Sequence, residues 1–589
     1  MRTALDPALD DDFAVPSDRP HFRVWPTRLP RTLVVPATTL AFNLEVSAAR
    51  YPDKPATVFF GREESYRTLH ARATALAGWL QAHGVGRGDR VCVFLQNCPQ
   101  YLAACYGVFR ADAVVVPVNP MNKAAELAHV VDDSDAVAIV CAADLAGIVA
   151  EAQAALPAAR RAKIVLVVRY AEAMPDGDID PALAPPSAMA AWLALDPPLP
   201  AGAVRFEAAV AAGLAPRAPE SGPDDMALLP YTSGTTGLPK GCIHTHRTLM
   251  ANAVVGQWTF GTAEAVGLAV VPMFHITGLL YGVLGVVWSG ATAAVLPRWD
   301  RELAGRTIAR HKVTHWVCIP TMVIDLFASP NLAAFDLTSL RSLSGGGAAM
   351  PQAVAERLRD TFGIVFTEGY GLTETAAPSH SNLPEKAKLQ CLGIPIFSVD
   401  SRVVDPVTLA EMPPGETGEI ITRGPMVFHG YWKHPEATEA AFVLFEGRRF
   451  FRTGDLGVMD GEGYFFMRDR LKRMINASGY KVWPAEVEAM LYKHPAVQEA
   501  CIISARDAYR GETVKAVVVL RADAKGSTSA EDIVAWARGQ MAAYKVPRLV
   551  SFVDALPKSG SGKVMWRLLQ EAEAARDQAG GIAPQAARP

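Results

Sequence analysis

The stretch YTSGTTGLPKG, residues 231–241, combines hydroxyl side chains, glycines and one lysine in a single short segment. Glycine lets backbone N–H groups approach an anion closely, hydroxyls donate hydrogen bonds, and Lys240 supplies a positive charge. Such clusters also occur in ordinary surface turns. Here a run of apolar residues, 226–230, directly precedes the segment. We therefore interpret it as a phosphate-binding loop, which predicts a nucleotide ligand.

The residue order excludes a Walker A loop, in which Ser or Thr directly follows the lysine, because Gly241 follows Lys240 here. The segment instead resembles the phosphate loop of the adenylate-forming, or AMP-binding, superfamily. That superfamily includes acyl-CoA synthetases, firefly-type luciferases and adenylation domains of peptide synthetases. The resemblance implies that ATP is bound by Thr232, Ser233, Gly234, Thr235, Thr236, Gly237 and Lys240.

Length and composition predict a globular protein of several domains. The chain has 589 residues, 50% apolar and 20% charged, which is enough to bury large cores. The net charge is −3 without a basic block, so we expect no nucleic-acid partner. The eight cysteines lack metal-site spacing, and the first 20 residues lack an apolar signal segment. Both features favour a cytoplasmic protein.

Residues 265–297 contain no Lys, Arg, Asp or Glu, which raises the alternative of a membrane span. Pro272, His275 and several glycines interrupt the stretch. Its start, residues 266–271, reads better as a buried strand that leads through a turn into a buried helix. We therefore expect no integral membrane segment, while weak peripheral contact with a membrane stays open.

Residues 67–120 predict alternating helices and strands. One helical stripe is formed by Leu69, Ala73, Leu76 and Leu80. Further elements are expected as a helix at 99–110 and strands at 90–95, 113–118, 163–168, 313–319 and 342–343. This order is typical of an α/β fold in which helices cover a buried sheet.

The composition and the sequence pattern change at two places along the chain, and these changes suggest boundaries between parts of the fold. Residues 171–223 are rich in Ala and Pro, with a short helical piece at 188–195, and predict a surface insertion. Beyond residue 472, short strands precede a helix that begins at Ala530, with Ser529 as its N-cap and Asp532 at the third helical position. This predicts a small α+β domain, followed by a frayed tail.

Further segments match the superfamily in its expected order. The PMFH segment, residues 272–275, implies an acyl-pocket wall with His275 near the carboxylate, although an isolated histidine of this kind would read as a core residue. The SGGGAA segment, residues 344–349, implies a loop beside adenine and the acyl chain, with tight-turn packing as the alternative. The implied contacts of this loop are Gly346, Gly347 and Ala348.

The EGYGLTET segment, residues 368–375, supplies several groups for a nucleotide. Tyr370 offers a ring face for adenine, Thr373 a hydroxyl for phosphate, and Glu374 a hard carboxylate oxygen suited to Mg²⁺. The resemblance implies the same roles. It adds to the cofactor-binding set Glu368, Gly369 and Gly371.

The FRTGDLG segment, residues 451–457, places Asp455 in a turn where its carboxylate accepts both ribose hydroxyls. Without the flanking residues, Asp455 would be interpreted as a partner in a surface salt bridge. The resemblance implies that Arg470, a permanent cation, contacts ribose and phosphate. It also implies a hinge at Lys472, about which the small domain rotates.

Two segments of the small domain complete the implied site. Ser478, Gly479 and Tyr480 are expected to reach the site for thioester formation, with Gly479 leaving space for a pantetheine arm. Lys563 ends PKSGSGK, residues 557–563, a segment that would otherwise read as a solvated tip. The resemblance makes Lys563 the adenylation catalyst. The implied catalytic set is Lys563, Glu374, His275 and Lys240.

The resemblance implies an α/β fold whose large domain has doubly wound sheets with helices on both faces plus a distorted β-barrel subdomain. A small mobile α+β C-terminal domain follows. The expected boundaries are residues 1–36 for an N-terminal extension, 37–470 for the large domain, 471–576 for the lid and 577–589 for a flexible tail. The implied activity is an ATP-dependent acyl-CoA ligase that uses ATP, Mg²⁺ and coenzyme A.

The implied substrate is a carboxylic acid. Residues 476–488 look most like those of bacterial fatty-acyl-CoA ligases, which favours a medium- or long-chain fatty acid. Leu279 stands where some long-chain members carry a tryptophan gate, so aryl acids such as benzoate, phenylacetate or cinnamate stay open. The same motifs would also serve a carrier-protein-loading enzyme, a luciferase-like oxidation or a non-catalytic sensor. The sequence leaves an oligomer open as well.

Overall fold

The computed structural model describes residues 13–232, 238–255, 262–346, 350–470, 473, 475–477, 480–482, 484–507, 511–558 and 564–578. The chain divides into two compact units. Unit 1 comprises Met1–Ser401, Thr422–Phe451 and Glu462–Tyr464. Unit 2 comprises Arg402–Ile421, Arg452–Gly461 and Phe465–Pro589.

Unit 1 contains a seven-stranded sheet that is parallel apart from its first strand, which is antiparallel to the second. Apolar strands with no charged residues at their centres suit such a sheet because helices cover both of its faces. In spatial order the strands are His244–Thr245, Met226–Leu228, Val114–Pro117, Arg90–Phe94, Ala136–Ala142, Ile164–Val168 and Val204–Arg205.

A nine-stranded sheet forms the other half of unit 1. Its six central strands are parallel, and antiparallel strands lie at both edges. In spatial order the strands are Ile394–Pro395, Ala377–Ser381, Phe366–Leu372, Ser342–Gly345, His315–Cys318, Val266–Ala269, Thr292–Val295, Pro55–Phe59 and Arg62–Ser65.

Helices connect the parallel strands, as expected for a doubly wound fold. The predicted stripe of Leu69, Ala73, Leu76 and Leu80 is at most 2% exposed, and Pro99–Arg110 has its predicted bounds. Among the described residues, the α-helices of unit 1 are Leu40–Arg50, Tyr66–Ala82, Pro99–Arg110, Ala124–Ser134, Ala146–Ala155, Ser187–Leu193, Phe206–Ala211, His246–Val255, Ile276–Leu279, Gly285–Ser289, Arg301–His311, Pro320–Phe327, Gln352–Phe362 and Pro435–Ala440.

The charge-free stretch folds as predicted, into the strand Val266–Ala269, a turn and a helical run that includes the π-helical segment Leu280–Leu284. Within the described ranges, no helix combines the length and apolarity that crossing a membrane requires. Residues 171–223 differ from expectation. They supply an edge strand and the helix Phe206–Ala211, whose Phe206 is fully buried, so only part of this segment is a surface insertion.

A five-stranded sheet forms the half-barrel predicted as a distorted β-barrel. Its strands are Asp400–Val404, Gly418–Arg423, Arg448–Met459, Phe442–Phe445 and Phe465–Arg470. With the doubly wound sheets and the small domain of unit 2, it confirms the predicted fold class.

Unit 2 contains a second five-stranded sheet with three helices. Ser529 caps the helix that begins at Ala530 and exchanges hydrogen bonds with Asp532, as predicted. The strands are Tyr480–Val482, Ile475–Ala477, Gly511–Leu520, Val497–Asp507 and Leu549–Phe552, and the helices are Pro484–Leu491, Ala530–Arg538 and Trp566–Gln578. The mobility of this domain stays a prediction.

An ion-pair group in unit 1 connects the helix Tyr66–Ala82 with the helix Phe206–Ala211, and its contribution to stability can be measured. Arg72 lies between Glu64, 2.5 Å away, and Glu207, and its side chain is 18% exposed. Because Arg72→Met leaves two poorly solvated carboxylates without their cation, we expect a loss of about 2–4 kcal/mol in the free energy of unfolding. Urea titration measures this loss. Arg67→Met removes an exposed pair with Asp53 on the same helix and should cost less than about 1 kcal/mol. Equal losses would contradict the prediction.

Candidate functional site

A short hairpin holds both ends of the predicted phosphate loop. Tyr231–Thr232 pairs antiparallel with Lys240–Gly241, which places Thr232 opposite Lys240. Ser233, Gly234, Thr235, Thr236 and Gly237 lie outside the described residues, so their contacts with ATP stay predictions. The hairpin fixes where this loop begins and ends.

Two side-chain contacts fasten the hairpin to the helix Ala124–Ser134. The Tyr231 hydroxyl donates to Asp133 at 2.6 Å, and His129 Nε2 donates to the carbonyl oxygen of Pro239 at 2.9 Å. Burial and the neighbouring Asp133 raise the pKa of Tyr231 far above its usual range, so this hydroxyl remains a donor. The sequence analysis missed Asp133 and His129 because no local motif marks them.

Lys240 and Glu374 both contact Tyr431. Lys240 Nζ lies 5.5 Å from the centroid of the Tyr431 ring, and the Tyr431 hydroxyl donates to Glu374 Oε1 at 2.8 Å. Glu374 is 8% exposed. Burial, together with the carboxylate of Glu374, raises the pKa of Tyr431 well above its usual range. The sequence predicted the cation and the carboxylate but missed the phenol that contacts both.

Main-chain hydrogen bonds join these residues into one frame. Residues 241–243 pair with residues 429–432 through three N–H···O=C bonds of 2.8, 2.9 and 3.0 Å. The N–H of Phe428 donates to the carbonyl oxygen of Glu374 at 2.8 Å. The end of the phosphate loop, Tyr431 and Glu374 are therefore positioned together.

Two buried polar side chains hold the turn that carries Glu374. His244 Nε2 donates to the carbonyl oxygen of Thr373 at 2.8 Å, and Asn252 Nδ2 donates to the carbonyls of residues 375 and 376 at 3.0 and 2.8 Å. The turn is strained, because Ala377 adopts a φ of +78°. His244, in the strand His244–Thr245, and Asn252, in the helix His246–Val255, stabilise this turn.

Glu368 is a buried carboxylate that joins separate loops. One oxygen accepts from Met350 N at 2.6 Å and the other from Cys391 N at 2.7 Å. Burial raises the pKa of Glu368, and the two N–H bonds offset part of that rise. These contacts give Glu368 a supporting position, while its contact with a nucleotide stays a prediction.

Close backbone approach explains two glycines of the predicted adenine site. A Cβ on Gly346 would lie 2.4 Å from the carbonyl oxygen of Gly369, and one on Gly371 would lie 1.9 Å from that of Ala377. Neither position tolerates a side chain without backbone movement. Gly347 and Ala348 are not among the described residues.

Tyr370 is 7% exposed and packs against His380, with ring centroids 5.5 Å apart. Thr373, two residues beyond Gly371, is partly exposed. Stacking of Tyr370 on adenine and donation from Thr373 to phosphate stay predictions.

His275 is the N-cap of the helix Ile276–Leu279, and its Nδ1 accepts from Thr277 N at 3.3 Å. In the neutral imidazole the proton then lies on Nε2. Asn97 holds the turn before it, accepting from Met273 N at 2.7 Å. The sequence analysis missed Asn97, which lies far away in the chain.

A narrow pocket opens beside this turn, between the strands Val266–Ala269 and His315–Cys318 and the helical run after His275. Its lining is mainly apolar and consists of Gly267, Leu268, Ala269, Val271, Gly278, Tyr281, Gly282, His315 and Val317. Burial lowers the pKa of His315 to about 4, so its ring is neutral at neutral pH. Leu279, at the expected gate position, is fully buried.

In unit 2, Asp455 and Arg470 are register partners on adjacent antiparallel strands. Residues directly opposite each other place their Cβ atoms about 5 Å apart on one face. Glu419 supports the turn before Asp455, accepting from Arg452 Nε at 3.0 Å and from Gly454 N at 3.3 Å. Arg470 is described as backbone only, so contact of both side chains with one ligand stays a prediction.

Most of the remaining predicted site residues of unit 2 are not among those that the structure describes. Lys472, Ser478, Gly479 and Lys563 lie outside the described residues, and Tyr480 is described as backbone only. Their roles stay predictions.

Among the described residues, no group of three or more His, Cys, Asp or Glu side chains could form a metal cluster. Mg²⁺ commonly binds through one or two carboxylates and completes its shell with phosphate oxygens and water. The buried carboxylate of Glu374 fits this mode, and its contact with Mg²⁺ stays a prediction.

Comparison with known proteins shows the family of the chain. The AMP-binding enzyme family matches residues 44–432, and the AMP-binding enzyme C-terminal domain matches residues 486–563. A long-chain-fatty-acid–CoA ligase of Bacillus subtilis (strain 168) is 36% identical over 567 residues, which cover 95% of this chain and 98% of that protein. A feruloyl-CoA synthase of Amycolatopsis sp. is 36% identical over 519 residues, covering 87% and 95%.

Among solved structures, ATP-bound MatB from Rhodopseudomonas palustris superposes with a TM-score of 0.77 at 28% identity, covering 91% of this chain and 99% of that one. The fold and the loop define an adenylate-forming enzyme. The chain belongs to the AMP-binding enzyme family, which confirms the predicted superfamily. It is an AMP-forming acid–thiol ligase.

Buried histidines predict sensitivity to acid. Burial lowers the pKa of His244 and His246 to about 4 and that of His380 to about 3. The unfolded chain takes up these protons near pH 6.5. Between pH 6.5 and 4 the unfolded state therefore binds more protons, and the free energy of unfolding should fall as the pH falls. Urea titrations at a series of pH values measure this slope.

His244→Gln should flatten that slope by up to about 1.4 kcal/mol per pH unit, the equivalent of one proton. His83→Gln, at an exposed position, is the control for the exchange of a histidine for glutamine. An identical slope in His244→Gln and the unmodified protein would contradict the assignment.

Proposed function

We propose that the protein is an ATP-dependent acyl-CoA ligase whose acid is a medium- or long-chain fatty acid. The observation that carries the ligase reaction is the group of Lys240, Tyr431 and Glu374 on one hydrogen-bonded frame at the end of the phosphate loop. The similarity to a long-chain-fatty-acid–CoA ligase supports a fatty acid. We assign its chain to the mainly apolar pocket, which lies in the same unit as the His275 turn.

In the first half-reaction, the acid carboxylate attacks the α-phosphate of ATP, acyl-AMP forms and pyrophosphate leaves. Two anions must meet, so fixed cations offset their charge in the transition state. We assign this task to Lys240 and Lys563, and we assign hydrogen bonding of the phosphates to Thr232, residues 233–237 and Thr373. We assign His275 a place near the carboxylate of the acid.

The nucleoside is held by groups on separate segments. Tyr370 and the glycine loop at Gly346 flank adenine, and Asp455 accepts from the ribose hydroxyls. Arg470, the register partner of Asp455, contacts ribose and phosphate. Hydrogen bonds that two hydroxyls donate to an ionised carboxylate orient the sugar as well as binding it.

Glu374 is the residue that would hold Mg²⁺. The ion neutralises charge on the phosphate oxygens when it is bound. Tyr431 donates to one carboxylate oxygen of Glu374, and the turn around it is fixed by His244 and Asn252. The protein therefore contributes a preset carboxylate to the ion.

In the second half-reaction, the thiol of coenzyme A attacks the acyl carbonyl and AMP leaves. Lys563 must withdraw to make room, which we assign to rotation of the small domain about Lys472. The same rotation brings Ser478, Gly479 and Tyr480 to the site.

An aryl acid is the second candidate, because Tyr281 and His315 give the pocket two polar groups that an alkyl chain does not use. The similarity to a feruloyl-CoA synthase supports this reading.

The substrate is tested by CoA-dependent AMP release across fatty acids of increasing length, with benzoate, phenylacetate and cinnamate alongside. We expect turnover to peak at one aliphatic length. Gly282→Leu should move the peak to shorter acids, because Gly282 lines the pocket and a longer side chain takes up its volume. A Cβ at this position would lie 3.3 Å from Met273 Cε and 3.5 Å from Ala269 Cβ, so Met273 must shift to admit it.

Gly147→Leu is the control, since a Cβ there meets no atom within 4 Å. A preference for an aryl acid would replace the fatty acid by the second candidate. Acyl-AMP formation without use of CoA would indicate a carrier-protein-loading enzyme instead.

Lys563→Ala separates the two half-reactions. Loss of the cation should slow acyl-AMP formation about a hundredfold or more, as loss of one charged donor does in comparable sites. Thioester formation from supplied acyl-AMP should persist. Rapid quench of each half-reaction measures both rates, and equal loss of the two would argue against separate conformations.

A further inference from the structure

Tyr431 is a fixed side chain in the site that none of the sequence motifs predicted. Its ring packs against Phe428, with ring centroids 4.8 Å apart, beside the apolar cluster of Cys242, Phe428 and Phe451. Its backbone pairs with Cys242. The packing of the ring and the pairing of the backbone fix the orientation of the side chain, so that its hydroxyl points toward Glu374 Oε1.

The phenol has a chemical advantage over a cation at this place. A lysine that paired directly with Glu374 would neutralise both charges, and neither would then be fully available to the phosphates or to a metal ion. The ammonium group of Lys240 lies against the face of the Tyr431 ring, whose hydroxyl is the group that donates to Glu374. The neutral hydroxyl orients the carboxylate and leaves its charge intact.

We infer that Tyr431 is a positioning residue that orients the Glu374 carboxylate for a divalent metal ion while its ring face holds the Lys240 ammonium group. The inference rests on the proposed role of Glu374. It assigns to Tyr431 a specific effect, on binding of metal-bound ATP, that a purely structural tyrosine would not have.

The test compares the binding of Mn²⁺·ATP with that of ATP in excess EDTA, by isothermal titration calorimetry on the full chain. Tyr431→Phe keeps the ring and its contact with Lys240 but removes the hydroxyl. We expect affinity for Mn²⁺·ATP to fall about tenfold, as for loss of a hydrogen bond to a charged group, while affinity for metal-free ATP stays within about twofold. The Mg²⁺ concentration for half-maximal pyrophosphate exchange should rise in parallel.

Tyr464→Phe is a closely matched control. Tyr464 is buried, donates to the carbonyl oxygen of Lys386 at 2.8 Å and has Lys388 Nζ 4.2 Å from its ring centroid. It therefore loses a hydroxyl from a similar lysine–tyrosine contact outside the predicted site. We expect both affinities to remain unchanged in this variant.

Two results for Tyr431→Phe would overturn the inference: equal weakening for both forms of ATP, or no weakening for either. Glu374→Gln distinguishes this failure from that of the proposed function. If Glu374→Gln loses its preference for Mn²⁺·ATP but Tyr431→Phe does not, only the inference about Tyr431 fails. If Glu374→Gln binds Mn²⁺·ATP as the unmodified protein does, the metal role of Glu374 fails, and the inference fails with it.

Discussion

The rest of the site depends on one costly constraint, the burial of the Glu374 carboxylate. A charge removed from water is tolerated only when hydrogen bonds replace its hydration. Here the Tyr431 hydroxyl donates to the side chain and the Phe428 N–H donates to the main-chain carbonyl of the same residue. The surrounding strands and turns are arranged to supply those donors, which fixes Glu374 relative to the phosphate loop.

That constraint also connects the two sheets of unit 1. The segment after Lys240 runs along residues 429–432, enters the seven-stranded sheet at His244–Thr245 and continues as the helix His246–Val255. His244 and Asn252 on this path bond the carbonyls around Glu374, which follows a strand of the nine-stranded sheet. Movement of the loop's lysine would therefore strain the turn that carries the carboxylate.

The sequence predicted the elements with strong local patterns, such as Pro99–Arg110 and the capping box at Ser529, because periodicity and caps act over a few residues. Composition alone predicted structure less well than periodicity and caps did. The alanine and proline content of residues 171–223 does not reveal that Phe206 is buried. The site residues that sequence reasoning missed bond partners 57 to 176 positions away, and they include Asn97, Asp133, Asn252 and Tyr431. For the two asparagines those partners are main-chain groups, which carry no sequence signature.

The reacting groups and the acid pocket are built from different structural elements, so the reaction and the substrate preference can vary independently in such a fold. The charged frame of Lys240, Tyr431 and Glu374 is held by hydrogen bonds to residues 241–252 and 428–432. The pocket is built from other elements, the strands Val266–Ala269 and His315–Cys318 and the helical run with Tyr281 and Gly282. A side chain exchanged in that pocket changes its volume or polarity without touching the frame. Motifs of the frame therefore define the reaction, and only the pocket can define the acid.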